Sequence, residues 1–183
     1  MADTGWKSPG TVVDDNSVGT IAWSNPENAK ASDNSYATVI PGRTLEFSRD
    51  NSIKLVKGGT IQGNDKSTGA YYDYTDTYVQ FGGSSDLWGL SLTPSDINET
   101  DFGVAYSHKS KYISHYLKAT NFGFSIPSGS TINGVEVGIE RHYDGGDGQD
   151  AYVDHIQIKV YYTDSTTPIV GEKYPLPPFR RSV

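Results

Sequence analysis

Three aspartates, Asp144, Asp147 and Asp150, fall on one Gly-rich stretch, Asp144-Gly-Gly-Asp-Gly-Gln-Asp150. Clustered carboxylate oxygens of this kind suit a hard cation such as calcium. The spacing does not match an EF-hand loop, which needs a fixed series of Asp and Asn, a Gly and a distal Glu. Gly-Asp runs are also ordinary turn chemistry, so these residues are a weak metal candidate and no cofactor is expected. A second group is aromatic. Tyr71, Tyr72 and Tyr74 flank Asp73, with Tyr78, Trp88 and Trp6 elsewhere in the chain. Sugar rings stack on such faces, and an adjacent Asp can bind their hydroxyls. The same rings also serve as rim packing with wet hydroxyls or as subunit contacts.

Catalytic patterns are scarce. Glycoside hydrolysis needs two carboxylates facing each other across the scissile bond. Glu136 and Glu140 are four residues apart in a strand-like run and share its solvent-facing side. The four histidines, His108, His115, His142 and His155, contain no i, i+2 or i, i+4 pair. His155 reads as a hydrogen-bonded, half-buried ring on a strand. There is no Gly-x-Ser-x-Gly elbow, no phosphate-binding glycine loop and no cysteine. No catalytic residue is assigned, and a non-enzymatic role is expected.

The elements that must carry these residues are strands. Thirteen Tyr, six Phe, three Trp and 20 Gly in 183 residues favour pleated sheet and turns. Periodicity of two predicts strands at Thr20–Trp23, Tyr36–Ile40, Thr44–Phe47, Ser52–Lys57, Thr77–Phe81, Phe102–Ser107, Tyr112–Ala119, Thr131–His142 and Ala151–Tyr162. Pro41-Gly42, Gly58-Gly59, Gly82-Gly83 and the Asp144–Asp150 stretch separate several of them. One short helix is predicted at Thr93-Pro94-Ser95-Asp96, with hydroxyl N-cap, proline at N1 and carboxylate at N3. It should plug one end of the fold with Ile97 and Leu92. The expected class is all-β: an antiparallel two-sheet sandwich, jelly-roll-like, with one short helix and extended terminal arms. A hairpin of the last two strands should set Val137 opposite Ile156 and Val135 opposite Ile158, which places Arg141 diagonally from Asp154.

The domain boundaries follow: an N-terminal arm over 1–19, a sandwich over 20–163 and a Pro-rich arm over 164–183. Pro168, Pro175, Pro177 and Pro178 forbid a helix and deny donors to a central ladder. The segment still carries Ile169, Val170, Tyr174, Leu176 and Phe179, then Arg180 and Arg181. An extended arm with spaced apolar anchors suits docking on another subunit, whereas disordered tails lack such anchors.

Charge narrows the partners. The net charge is −7, and residues 164–183 hold three of the 15 basic and two of the 22 acidic residues, which leaves the rest at −8. A polyanion is therefore not expected as a partner, and nucleic acid is excluded from the expectations. The start lacks the basic and apolar regions of a secretion signal, and no apolar run is long enough to span a membrane.

Several segments resemble a recurrent β-sandwich domain found in structural and tail-associated proteins of tailed bacteriophages and in bacterial surface proteins. They include Ala22–Ala29, Ser32–Thr38, Ile53–Gly59, Ser84–Gly89, Thr93–Asn98, Asp101–Ala105, Tyr116–Phe124, Ile126–Gly134 and Val153–Tyr162. The resemblance spans roughly Trp23 to Thr163. In the relatives the block like Tyr116–Arg141 precedes the block like Asp50–Gly59, so the segment order here reads as permuted. The resemblance implies a sandwich fold and no catalytic residues. It leads to the expectation of a virion structural protein: a head decoration, a head fibre or a tail component. Such a protein is made in a host cytoplasm and forms homo-oligomers or binds other virion proteins. The alternative is a glycan-binding module or adhesin on a phage or bacterial surface, built on Tyr71, Tyr72, Tyr74 and Trp88.

Overall fold

Alternating apolar and polar residues become strands because each strand can bury one face while its backbone is satisfied by neighbours. A computed structural model of the chain describes residues 1–42, 46–144 and 150–165. Its strands are β1 (Ala2–Asp3), β2 (Thr11–Asp15), β3 (Ala37–Val39), β4 (Arg49–Lys57), β5 (Thr60–Gln62), β6 (Thr77–Gly82), β7 (Gly103–Lys109), β8 (Tyr116–Thr120), β9 (Thr131–Tyr143) and β10 (Ala151–Thr163). A helix α1 (Pro94–Asn98) lies between β6 and β7. The fold is all-β, with two antiparallel sheets. The first runs β1-β10-β9-β6, with β3 also on β10; the second runs β2-β8-β7-β4-β5.

The core lies between the sheets. Val135, Val137 and Ile139 of β9 and Ile156, Ile158 and Val160 of β10 meet Ile53, Leu55, Val104, Tyr106 and Leu117 of the second sheet. All of these are fully buried. Val56, Ala105 and Tyr116 form a smaller buried cluster with Val18 and Ile61.

Three expectations change. The β9–β10 hairpin exists, but Ile156 faces Ile139, Ile158 faces Val137 and Val160 faces Val135. That is a slip of two from the expected register, which keeps the apolar faces together because the side-chain period is two. Near the turn Val153 faces Arg141, then Asp154 is an extra residue and His155 faces Glu140. This bulge switches the inward residues from 151 and 153 to 156, 158 and 160. Arg141 therefore pairs with Asp50 instead of Asp154.

The N-terminal stretch is not an arm. Ala2 and Asp3 pair with Tyr162 and Tyr161, Lys7 bridges Ile158, and Thr11–Asp15 pairs with β8. The 13 residues of β10 present a long edge, and such an edge needs covering. Residues 2–7, Lys30 and β3 line up to cover it. Residues 20–23 were expected as a strand, but they contribute only a bridge from Ile21 to Ser114. The expected strand Thr44–Phe47 lies partly outside the described residues.

The two ends of the sandwich are built differently. At one end, β9 begins, β10 ends and α1 is seated. Thr93 accepts from the Asp96 amide while Asp96 accepts from the Thr93 amide, a reciprocal capping box. Asn98 exchanges hydrogen bonds with the Ile126 backbone, and Ile97, Phe102, Phe122, Phe124 and Leu92 fill the space. We call this the plugged end. At the opposite end, β9 meets β10 through the hairpin; we call it the hairpin end.

Candidate functional site

At the hairpin end, Arg141 on β9 points into the core. Its Nε and Nη2 donate to Asp50 Oδ1 and Oδ2 of β4 at 2.9 and 2.7 Å. Tyr106 Oη donates to Asp50 Oδ1 at 2.9 Å, and the guanidinium lies 4.2 Å from the ring centre of Tyr72. Burial pushes the Asp50 carboxyl up, and Arg141 opposes that shift. His108, opposite Asp50 on β7, is fully buried with neither ring nitrogen hydrogen-bonded. Burial, aided by the Arg141 charge, pushes it down to about 3. It is therefore neutral at pH 7. This cluster ties the two sheets together by a charged bond, and sequence reading missed it.

Over this buried cluster sits an exposed aromatic group. Phe47, Tyr71 and Tyr74 are 51%, 61% and 63% exposed. Phe47 packs edge-on against Tyr71 and Tyr143, at 6.0 and 6.3 Å between ring centres, and Tyr74 lies 4.3 Å from Tyr143. Ile40, which follows β3, and Tyr112, in the β7–β8 connection, are exposed at the same end. Asp73 borders the group and accepts from the Tyr74 amide. The Asp144 backbone N–H donates a hydrogen bond to the Asp150 carbonyl at 3.2 Å, which closes the hairpin mouth. Burial and the neighbouring Asp144 push the Asp150 carboxyl up.

The outer face of the first sheet carries a second polar row. Tyr78, Glu140 and His155 stand side by side on β6, β9 and β10. His155 Nδ1 is 2.7 Å from Tyr78 Oη, and its Nε2 is 2.9 Å from Ser8 Oγ. Burial and Glu140 push Tyr78 up to about 12, and burial pushes His155 down. A hydroxyl on an oriented imidazole has the connectivity of an activated nucleophile. Acyl transfer also needs amide donors aimed at the oxyanion. Next to Ser8, the Lys7 amide donates to the Ile158 carbonyl and the Gly10 amide to the Asn121 carbonyl, and residue 9 is proline.

The sequence-derived candidates separate in space. Trp88 is fully buried, and its indole donates to the Val135 carbonyl. Gly82 makes room for it: at φ 79°, an added Cβ would lie 2.6 Å from the indole nitrogen. Tyr72 is buried under Arg141. A flat four-ring platform of Tyr71, Tyr72, Tyr74 and Trp88 does not form, and only Tyr71 and Tyr74 face solvent. Trp6 stacks on Lys159 instead. Glu136 and Glu140 do share the outer face; Glu136 is held by Tyr161 Oη at 2.6 Å and Lys159 at 3.2 Å. His155 is on a strand and hydrogen-bonded, as expected. His115 pairs with Asp14 and His142 with Asp76. Among the described residues no three metal-ligating side chains converge. Asp147 and the arm residues Ile169, Val170, Tyr174, Leu176, Phe179, Arg180 and Arg181 lie outside the described residues.

Comparison with protein-family models, curated proteins and solved structures finds no match to this chain. No described helix is long and apolar enough to cross a membrane.

Proposed function

We propose that this chain is a non-enzymatic structural component of a bacteriophage virion, a head decoration, head fibre or tail-associated protein that assembles through its C-terminal arm. One observation carries the assembly part. Among the described residues both sheets and the core cluster are built from residues 2–163, and the Pro-rich segment with its spaced apolar residues follows directly on the last strand. The virion assignment is supported by the sequence resemblance of roughly residues 23–163 to a β-sandwich domain of tailed-phage structural and tail-associated proteins, which also occurs in bacterial surface proteins. The carboxylates Glu136 and Glu140 share one strand face, which does not place them across a cleft from each other.

The test is deletion of residues 166–183. The shortened chain should keep its circular dichroism spectrum and unfold cooperatively, while light scattering shows loss of the oligomer. An unchanged oligomer sinks the assembly reading. Antibody labelling of purified particles tests the virion reading, and unlabelled particles would refute it.

A glycan-binding role is the second reading, favoured by exposed Tyr71 and Tyr74 on either side of Asp73. An array screen with the full chain tests it: specific binding abolished by Tyr71→Ala would support a glycan site.

A further inference from the structure

The exposed apolar side chains are not evenly spread. Among the described residues, Met1, Val13, Ile40, Phe47, Tyr71, Tyr74, Tyr78 and Tyr112 are the exposed large hydrophobics. Ile40, Phe47, Tyr71, Tyr74 and Tyr112 all lie at the hairpin end. Arg49 pairs with both Lys109 and Tyr71, and β3 reaches Ala151 there. The C-terminal segment leaves from the other end. Thr163 pairs with Thr131 at the start of β9, and Ser165 Oγ donates to the Gly129 carbonyl. The point where the C-terminal segment leaves β10 and the aromatic surface are therefore at opposite ends of the sandwich.

We propose that the hairpin-end surface around Phe47, Tyr71 and Tyr74 is the docking site for residues 169–181 of a second copy of this chain. This rests on the assembly reading above and names the surface it uses.

Reach favours a partner copy over the chain's own tail for engaging every anchor at once. The 13 residues of β9 span about 40 Å at ~3.3 Å per residue. Tyr174 is only 11 residues beyond Thr163, and a fully extended chain covers at most ~3.5 Å per residue. Ile169 and Val170, six and seven residues beyond Thr163, therefore fall short of the hairpin end of their own sandwich, and Tyr174 comes level with it only in a fully straight chain. A neighbour stacked end to end brings that surface next to the arm's exit, where all the anchors can engage at once.

Chemistry agrees with the geometry. An extended Pro-rich segment lays aromatic and aliphatic side chains onto an aromatic surface with little further loss of backbone freedom. Asp73 and Asp144 are exposed on the Tyr74 side, which suits Arg180 and Arg181. Lys109 and Lys111 lie on the Tyr112 side, so the arm's basic end is directed away from Tyr112. A head-to-tail contact of this kind is heterologous, and it closes as a ring or grows as a filament.

The test uses the full chain. A photo-crosslinking phenylalanine analogue replaces Phe179, and copies with light and heavy isotopes are mixed before irradiation. Crosslinked peptides covering residues 46–49 or 70–74 of the other isotope class are expected. In parallel, Tyr71→Ser with Tyr74→Ser should weaken self-association at least tenfold in sedimentation while leaving the circular dichroism spectrum unchanged. Inter-copy crosslinks to any other surface overturn the docking site and leave assembly through the arm standing. Crosslinks only within one copy, together with a monomeric mass for the full chain, overturn both. An oligomer that Tyr71→Ser with Tyr74→Ser leaves intact also overturns the docking site.

Discussion

The two ends of this sandwich solve the same closure problem with different chemistry. The plugged end is closed by apolar side chains, with Ile97 and Phe102 fully buried beneath a capped helical turn. The hairpin end is closed by the ion pair of Arg141 and Asp50, with Tyr106, Tyr72 and His108 around it and exposed rings outside. An apolar plug gains by leaving water and tolerates some repacking. A buried ion pair is strong only while every partner is present. The first end is thus specialised for closure, whereas the second combines closure with an apolar surface left open to solvent.

The comparison can be broken most severely at Arg141. Arg141→Ala leaves the Asp50 carboxylate buried without its cation and should cost about 3–5 kcal/mol in urea unfolding. Arg141→Met together with Asp50→Leu should recover most of that loss, because two apolar residues leave no uncompensated charge. At the plugged end, Ile97→Ala should cost about 2–4 kcal/mol through an unfilled cavity, with no partner substitution that mirrors the Arg141 rescue.

The pH response sharpens the contrast. Folded His108 takes a proton only near pH 3, against 6.5 for an ordinary histidine. The unfolded chain therefore binds more protons between these values, and stability falls as pH drops through that window. Asp50, whose carboxyl is raised, acts in the opposite sense. His108→Phe should flatten the decline, seen as a shallower drop of the urea midpoint between pH 6.5 and 3. Loss of the helix cap by Thr93→Ala should cost about 1 kcal/mol in the same assay. Smallest of all, Tyr74→Ser should change monomer stability by less than about 0.5 kcal/mol, as expected for an exposed side chain.

Local patterns made much of the fold legible. The alternation of Val135, Val137 and Ile139 with Glu136 and Glu140 placed β9 and its faces correctly. Thr93, Pro94 and Asp96 located the only α-helix among the described residues. The slip in the β9–β10 register had a visible signal: the apolar residues shift from 151 and 153 to 156, 158 and 160, which marks a bulge at Asp154. Short strands without strong alternation, such as β1 and β5, were missed because their pairing comes from the edges they cover. The aromatic platform failed for a related reason. Tyr71 and Tyr74 face water and Tyr72 faces the core, an arrangement of an irregular segment that no simple period contains, while Trp88 fits a space created by Gly82 some distance away.

The amino-acid sequence by itself determined an all-β sandwich, the faces of its long strands, the capped turn and the Pro-rich C-terminal segment, because each depends on residues close together in the chain. Only the tertiary structure decided that Arg141 meets Asp50, that His108 is buried with neither ring nitrogen hydrogen-bonded, and that exposed rings gather at the end opposite the arm's exit. Those relations join residues tens of positions apart, and their energies depend on burial and distance, quantities that spacing along a chain does not contain.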